Sequence, residues 1–519
     1  MSRWYQVSTS VAVLVAIACG PGDGPAPTTA IDDRRPIPAP SSKPTIRGTD
    51  WWRVIGSATE TRAGGVTPLD EVPDSTWFTN RNAARGLSPE AIRKGPALHP
   101  SPRDGAAWTV IGVKQEGAAL GLRARDEAGD EFFLKFDARG HDEVETGADV
   151  VVQRLLFAAG YNVPENDVVY LARTHLTVAR AGDDVPLRDG DIDALLARAA
   201  REPDGRYRAL ASRLITGKPV GTITPFGARD DDPNDRIAHE DRRDMRGLYS
   251  LAAWLNHVDV KPPNTLAVWV PDHRASPRGH VMHYLLDFGK SLGAMARIDN
   301  RLYSGFAYSE ELPRLAADRA TTGARASWEG AGPFPELRGL GWIESVRFDP
   351  ARWKPMYPWL PFERADRFDK LWGARIVASF TPQQIRAALD AARYSEPKTV
   401  DYLARVLGER QRKTLDALFR GVAPLEQFTL RGRALCFVDL WARHALGGPD
   451  AAYFAELAHS ERQAQAQPDG TVCFADFLRE LPTVITIRIA RAGQVTPPTR
   501  ISIAATDGGE PRVTAIERQ

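Results

Sequence analysis

The spacing of apolar positions divides this chain into a strand-rich first part, a helical middle and an alternating tail. Trp108–Val113, Leu120–Arg125 and Glu131–Phe136 predict three short strands, with Asp126–Asp130 as the turn between the last two. Apolar residues then recur at helical spacing through Val150, Val151, Leu155, Leu156 and Ala159, and Gly160 marks the stop. Ala211–Gly221 reads as a strand and hinge, Gly247–Leu255 as an apolar helical run, and Leu266–Val270 and His283–Leu286 as short strands. The helical period returns through Arg364–Phe380, Pro382–Arg393 and Thr399–Leu418, with Trp342, Trp353, Trp359 and Trp372 as packing aromatics. Near the end, Thr483–Ile489, Thr499–Ile503 and Arg512–Ile516 alternate apolar and polar residues, with turns at Gly493 and Gly508-Gly509. That alternation predicts a small antiparallel sheet, either an interaction module or an extra layer on the helices. The expected class is α+β.

Two polar clusters interrupt this pattern where the helical run meets the strand pair. His257-Val258-Asp259-Val260-Lys261-Pro262-Pro263-Asn264 follows the run, and Leu286-Asp287-Phe288-Gly289 ends the second strand. Loops on a rigid scaffold are where chemistry is usually positioned. Taken singly, each cluster also suits ordinary turn formers. Together they resemble the H-x-D-x-K-P-x-N catalytic loop and the D-F-G turn of the protein-kinase superfamily, over roughly residues 105 to 295. Without an A-P-E segment, the resemblance is closer to the atypical branch: phosphoinositide-kinase-like, HipA-like and spore-coat CotH-like enzymes. Val72–Arg81 and Gly160–Asn166 are similar to segments of a group of exported bacterial proteins with this core.

The resemblance implies a two-lobed fold, a small β-rich N-lobe with a hinge (105–220) and a larger helical C-lobe (221–425). It implies Mg²⁺ and ATP as cofactors, with the identity of the nucleotide open. Asp259 would accept or orient the proton of an acceptor hydroxyl, and Lys261 would stabilise charge on the transferred group. Asn264 and Asp287 would hold the metal, and Lys135, among apolar strand residues, would neutralise the phosphates; alone, Lys135 reads as a snorkelling strand lysine. Lys114 and the backbone from Gly117 to Gly121 are candidates to cover the phosphates, although a plain hairpin loop fits equally. The acidic partner of Lys135 is open between Asp149 and Glu145, with Glu143 competing, and Thr146–Asp149 also matches a capping box. Three functions remain at this point: a phosphotransferase on a protein, lipid or small-molecule hydroxyl, a non-catalytic ligand- or partner-binding protein, and an AMP-transferring enzyme. The acidic run Asp230-Asp231-Asp232, with Asp235, lacks ligand-like spacing and reads as a solvated loop.

Composition and the chain start add a setting. Arg3 and the apolar run Val11–Ala18 precede Ala16-Ile17-Ala18-Cys19-Gly20, which resembles a bacterial lipobox. This implies a signal peptide over 1–19, an acylated Cys19 and a membrane-tethered protein of the bacterial cell envelope, with a secreted protein as the alternative. Residues 20–46, rich in Gly, Pro, Thr and Ser, read as a flexible tether, and 47–104 as an N-terminal extension. The charge balance, 67 basic against 66 acidic residues, carries no nucleic-acid signature. Besides Cys19 there are only Cys436 and Cys473, within an accessory region over 426–519; they are either a disulfide or two buried thiols.

Overall fold

A computed structural model of the chain describes residues 33–43, 51–113, 120–179, 187–323, 325–330, 332–447, 451–457, 460–478, 480–491 and 494–519. Lys114, Gly117 and Cys19, with the whole expected signal peptide, lie outside the described residues.

The alternation in Glu131–Phe136 sorts its side chains between two faces. Phe132, Leu134 and Phe136 are buried with Trp108, Val110, Leu122 and Ala124 in one core, joined by Ile192, Leu195 and Leu196. A two-residue period therefore turns Lys135 to the other face. The strand is central in a six-stranded sheet whose spatial order is Asn166–Leu171, Tyr207–Arg213, Glu131–Phe136, Leu120–Arg125, Trp108–Val113, Leu176–Val178. Neighbours are antiparallel except the last pair, which is parallel. In this register Lys135 faces Leu210 on one side and Gly121 on the other. Gly121 is therefore a strand residue beside the lysine and not part of a covering loop, because ladder pairing already begins at Leu120.

Helix Val144–Ala159 follows the lysine strand and is buried along almost its whole length. Its start is capped from outside by Asp137, whose Oδ1 accepts from the Glu145 and Thr146 backbone N–H groups at 2.8 and 3.0 Å. This corrects the capping-box reading of Thr146–Asp149: the helix already runs through these residues, and the Asp149 side chain bonds elsewhere.

The segment Ala211–Gly221 divides between two sheets. Tyr207–Arg213 stays in the first, whereas Lys218–Gly221 joins a second sheet with Thr265–Pro271, Arg278–Leu285 and Ile37–Pro38. Gly217, at φ +129°, makes the passage; a Cβ there would lie 2.5 Å from Val268 Cγ1. The Ile37–Pro38 strand corrects the tether reading for 33–43. Ile37 buries against Val220, Ala267, Trp269 and Val281, and proline is tolerated because the strand is at the sheet edge. Nearby, Ser41 Oγ donates to Asp231 Oδ2 at 2.7 Å and Lys43 pairs with Asp230, so part of the acidic run holds this segment.

The helical body packs Arg243–Leu255, Arg367–Ala378, Pro382–Ala391 and Pro397–Leu418 around one large apolar core that also takes in helix Val144–Ala159. The region after Leu425 is more extensive than the expected small sheet. Leu425–Arg431, Ala434–Asp439 and Thr471–Phe474 form one sheet, and a six-stranded sheet from Ala451 to Arg518 forms another. Their facing side chains, Phe437, Tyr453, Phe474, Ile485, Ile487 and Ile501 among them, make a core of their own. Arg518 ties this unit back to the first part of the chain through Asp70 at 2.7 Å, and pairs with Glu426 inside the unit at 3.1 Å. No described helix is long and apolar enough to cross a membrane.

Candidate functional site

The helical run ends at Asn256, whose left-handed backbone (φ +48°) turns the chain into the loop. His257 is buried behind that loop and its Nδ1 lies 2.9 Å from Ser291 Oγ. Its ring centroid is 5.6 Å from that of fully buried Phe288. The Val258 carbonyl accepts from Met356 N–H at 2.7 Å. Apolar Val258 and Val260 go into the core, and the residue between them, Asp259, is turned towards the polar side.

Asp259 is held from two directions. Lys261 Nζ lies 2.7 Å from its Oδ1, and Asn264 Nδ2 donates to its backbone carbonyl at 2.7 Å and to Oδ2 at 3.1 Å. Pro262–Asn264 forms a 3₁₀ turn in which Asn264 N–H bonds the Lys261 carbonyl at 3.0 Å. Because Asn264 uses its amide nitrogen on Asp259, its Oδ1 is the side-chain atom available to a cation. The Leu286 N–H donates to the Asn264 carbonyl at 2.9 Å, and Leu292 N–H to Leu255 at 3.1 Å. These bonds fasten one end of the Asp-Phe-Gly turn to the Asp259 loop and the segment after it to the end of the preceding helix. Asp287 itself has φ +58°, a conformation a non-glycine residue keeps only with such support.

Lys135 closes the site from the sheet. Its Nζ donates to Asp287 Oδ1 at 3.0 Å and lies 3.5 Å from Asp149 Oδ2, while Asn166 Nδ2 donates to Asp149 Oδ1 at 2.6 Å. Asp149 is therefore the partner of Lys135. Glu145, one helical turn earlier, bonds Lys290 at 2.8 Å. Sequence reasoning named no role for Lys290; a lysine directly after Asp-Phe-Gly was the available signal.

Burial opposes the charge on Lys135, but Asp287 and Asp149 outweigh it and hold the ammonium well above its ordinary value. Burial pushes the Asp149 and Asp259 carboxyls up against the pull of their lysines, and Asp287 adds to the rise at both. Asp287 thus acts on both of the other carboxylates.

Burial also pushes the His257 imidazole down to about 4, so it is neutral at pH 7. The unfolded chain takes up a proton on this residue near pH 6.5, whereas the folded site refuses it until about pH 4. Its contribution to stability is complete above pH 6.5 and is lost as the pH falls through that window, with a full depth of about 3 kcal/mol. Urea unfolding should show wild type losing about 2 kcal/mol more than His257→Gln between pH 7 and pH 5. Parallel pH dependences for the two proteins would refute the burial of a neutral imidazole.

The amide oxygen of Asn264 and the carboxylate of Asp287 are of the oxygen-donor type that could hold a hard divalent cation. Among the described residues, no cluster of three or more His, Cys, Asp or Glu side chains is placed to hold a metal alone. A cavity of about 860 Å³ opens elsewhere in the helical body, between Gly305, Trp328, Trp342 and Trp353; Asn256 lines it, but Lys135, Asp259 and Asp287 do not.

No family model matches this sequence, and no curated protein matches it. Among solved structures, the twitchin kinase region from C. elegans aligns over 79% of this chain and 76% of that one, at 11% identity and a TM-score of 0.27.

Proposed function

We propose that this chain is a two-lobed, kinase-fold phosphotransferase that uses a Mg²⁺-nucleotide, with ATP as the first candidate, and phosphorylates a hydroxyl acceptor on a protein, lipid or small molecule. The observation that carries the reading is Lys135 reaching Asp287 across 152 residues of sequence while also meeting Asp149. Such a bridge draws the strand, the helix and the Asp-Phe-Gly turn onto one point, where a nucleotide's phosphates need a cation and a metal ligand together. Mg²⁺, when bound through Asn264 and Asp287, supplies neutralisation of phosphate charge. Lys135 adds a fixed positive charge beside it. Asp259 faces the acceptor, takes up the hydroxyl proton as the new oxygen–phosphorus bond forms, and is kept in place by Lys261 and Asn264. The bond from the terminal phosphorus to the nucleotide's bridging oxygen breaks, and the nucleoside diphosphate leaves.

The lipobox-like segment around Cys19 supports placement on the bacterial envelope through an acylated cysteine, where a tethered enzyme would meet envelope acceptors. The test is a thermal-shift titration of the protein from residue 33 onward with MgATP, MgGTP and metal-free ATP. A Mg²⁺-dependent rise in Tm that Asp287→Asn removes is the expected result. A metal-independent response, or one that Asp287→Asn leaves intact, overturns the reading.

A further inference from the structure

Lys290 follows the Asp-Phe-Gly turn and is half of a second ionic contact to the same helix. Its side chain is 12% exposed, with Nζ 2.8 Å from Glu145 Oε1 and 3.2 Å from Asp299 Oδ2. Glu145 and Asp149 are four residues apart on helix Val144–Ala159, so they share one face. That face meets a lysine from the sheet at Asp149 and a lysine from the turn at Glu145. The turn itself lies against the helix: a Cβ on Gly289 would be 3.5 Å from Glu145 Cβ and 3.8 Å from Asp149 Oδ2.

The first contact alone does not fix the turn. A single lysine, on a flexible four-carbon stem, leaves its partner a range of positions; two lysines from different elements narrow that range. In the second contact the helix again supplies the anion, but the cation is on the turn itself, so turn and helix are joined directly. A shift of the helix along its axis strains both at once. Asp299 brings in the segment after the turn as a third body.

We propose that Lys290 is a positioning residue that sets Asp287 relative to helix Val144–Ala159, so that the nucleotide site is assembled only while Glu145 and Asp299 both hold it. This inference rests on the phosphotransferase reading for its consequence, but its geometry is tested separately.

The experiment compares wild type, Lys290→Met, Lys290→Arg and Glu145→Gln by hydrogen exchange and by nucleotide titration with and without Mg²⁺. Lys290→Met and Glu145→Gln should raise exchange in residues 143–150 and 287–292 and weaken MgATP binding on the order of tenfold, the low end of what is lost when a group that orients a metal ligand is removed. Metal-free ATP binding should change much less. Lys290→Arg, which can still reach two carboxylates, should restore both readouts; a purely space-filling lysine would show no such charge-specific rescue. Unchanged protection in both segments, or equal weakening with and without Mg²⁺, overturns the proposal. Should wild type fail to bind MgATP, the phosphotransferase reading falls and with it the consequence for nucleotide binding, while the exchange arm still decides whether Lys290 fixes the turn.

Discussion

Asp259→Asn is expected to reduce MgATP turnover, read as ADP release with water as acceptor, by a factor on the order of 10²–10⁴, the usual share of a positioned general base. The same variant should keep its Mg²⁺-dependent thermal shift. The separation follows from where Asp259 lies. Its bonds are to Lys261 and Asn264, within its own loop, whereas Lys135, Asp149 and Asp287 form the other half of the site. An asparagine fits the same space, and its one oxygen can still accept from Asn264 Nδ2 and Lys261 Nζ, so the loop should hold its shape; what disappears is the proposed proton acceptor. Wild-type turnover in Asp259→Asn would remove Asp259 from the reaction. Loss of turnover together with the thermal shift would show instead that Asp259 supports nucleotide binding.

The parts of this site that could be read from sequence are those set by short-range rules. The two-residue period in Glu131–Phe136 turned Lys135 away from the sheet's own core. The valines around Asp259 fixed its direction in the same way. The five-residue step from Asp259 to Asn264 is what lets one amide bridge the loop. The partner of Lys135 was not legible. Glu145 and Asp149 differ by one turn and share a face, so the choice depends on where the helix sits along the sheet, a tertiary quantity set by the Asp137 cap and by Asn166. Residues 33–43 carry a linker's composition, yet a sheet edge accepts proline and one apolar residue, Ile37, is enough to seat them. Leu425–Arg431 was missed because its apolar residues, Leu425, Phe428 and Leu430, break the two-residue period; the register shifts between Glu426 and Thr429, where Gln427 has φ +54°.

Cys436 and Cys473 are joined, and cutting that bond is expected to have the largest effect on stability. The two residues are direct cross-strand partners between Ala434–Asp439 and Thr471–Phe474, with Cα atoms 4.1 Å apart and 37 residues between them in sequence. The intervening chain leaves the three-stranded sheet, supplies Ala451–Leu457 and Ser460–Ala464 to the six-stranded one, and returns. The link therefore closes a loop that crosses between both layers, and Tyr453 from that loop is wholly buried in the shared core. Loop-closure entropy for this separation corresponds to about 4 kcal/mol. Cys436→Ala/Cys473→Ala should lower the stability of the C-terminal unit by about that amount, read as a shift in its urea midpoint. Reduction of wild type should reproduce the shift, and reductant should leave the double variant unmoved. Peptide mapping without reductant should recover the linked pair. Two alkylatable thiols in unreduced protein, or a reductant effect equal in both proteins, would show that the stability of the unit comes from its apolar core alone.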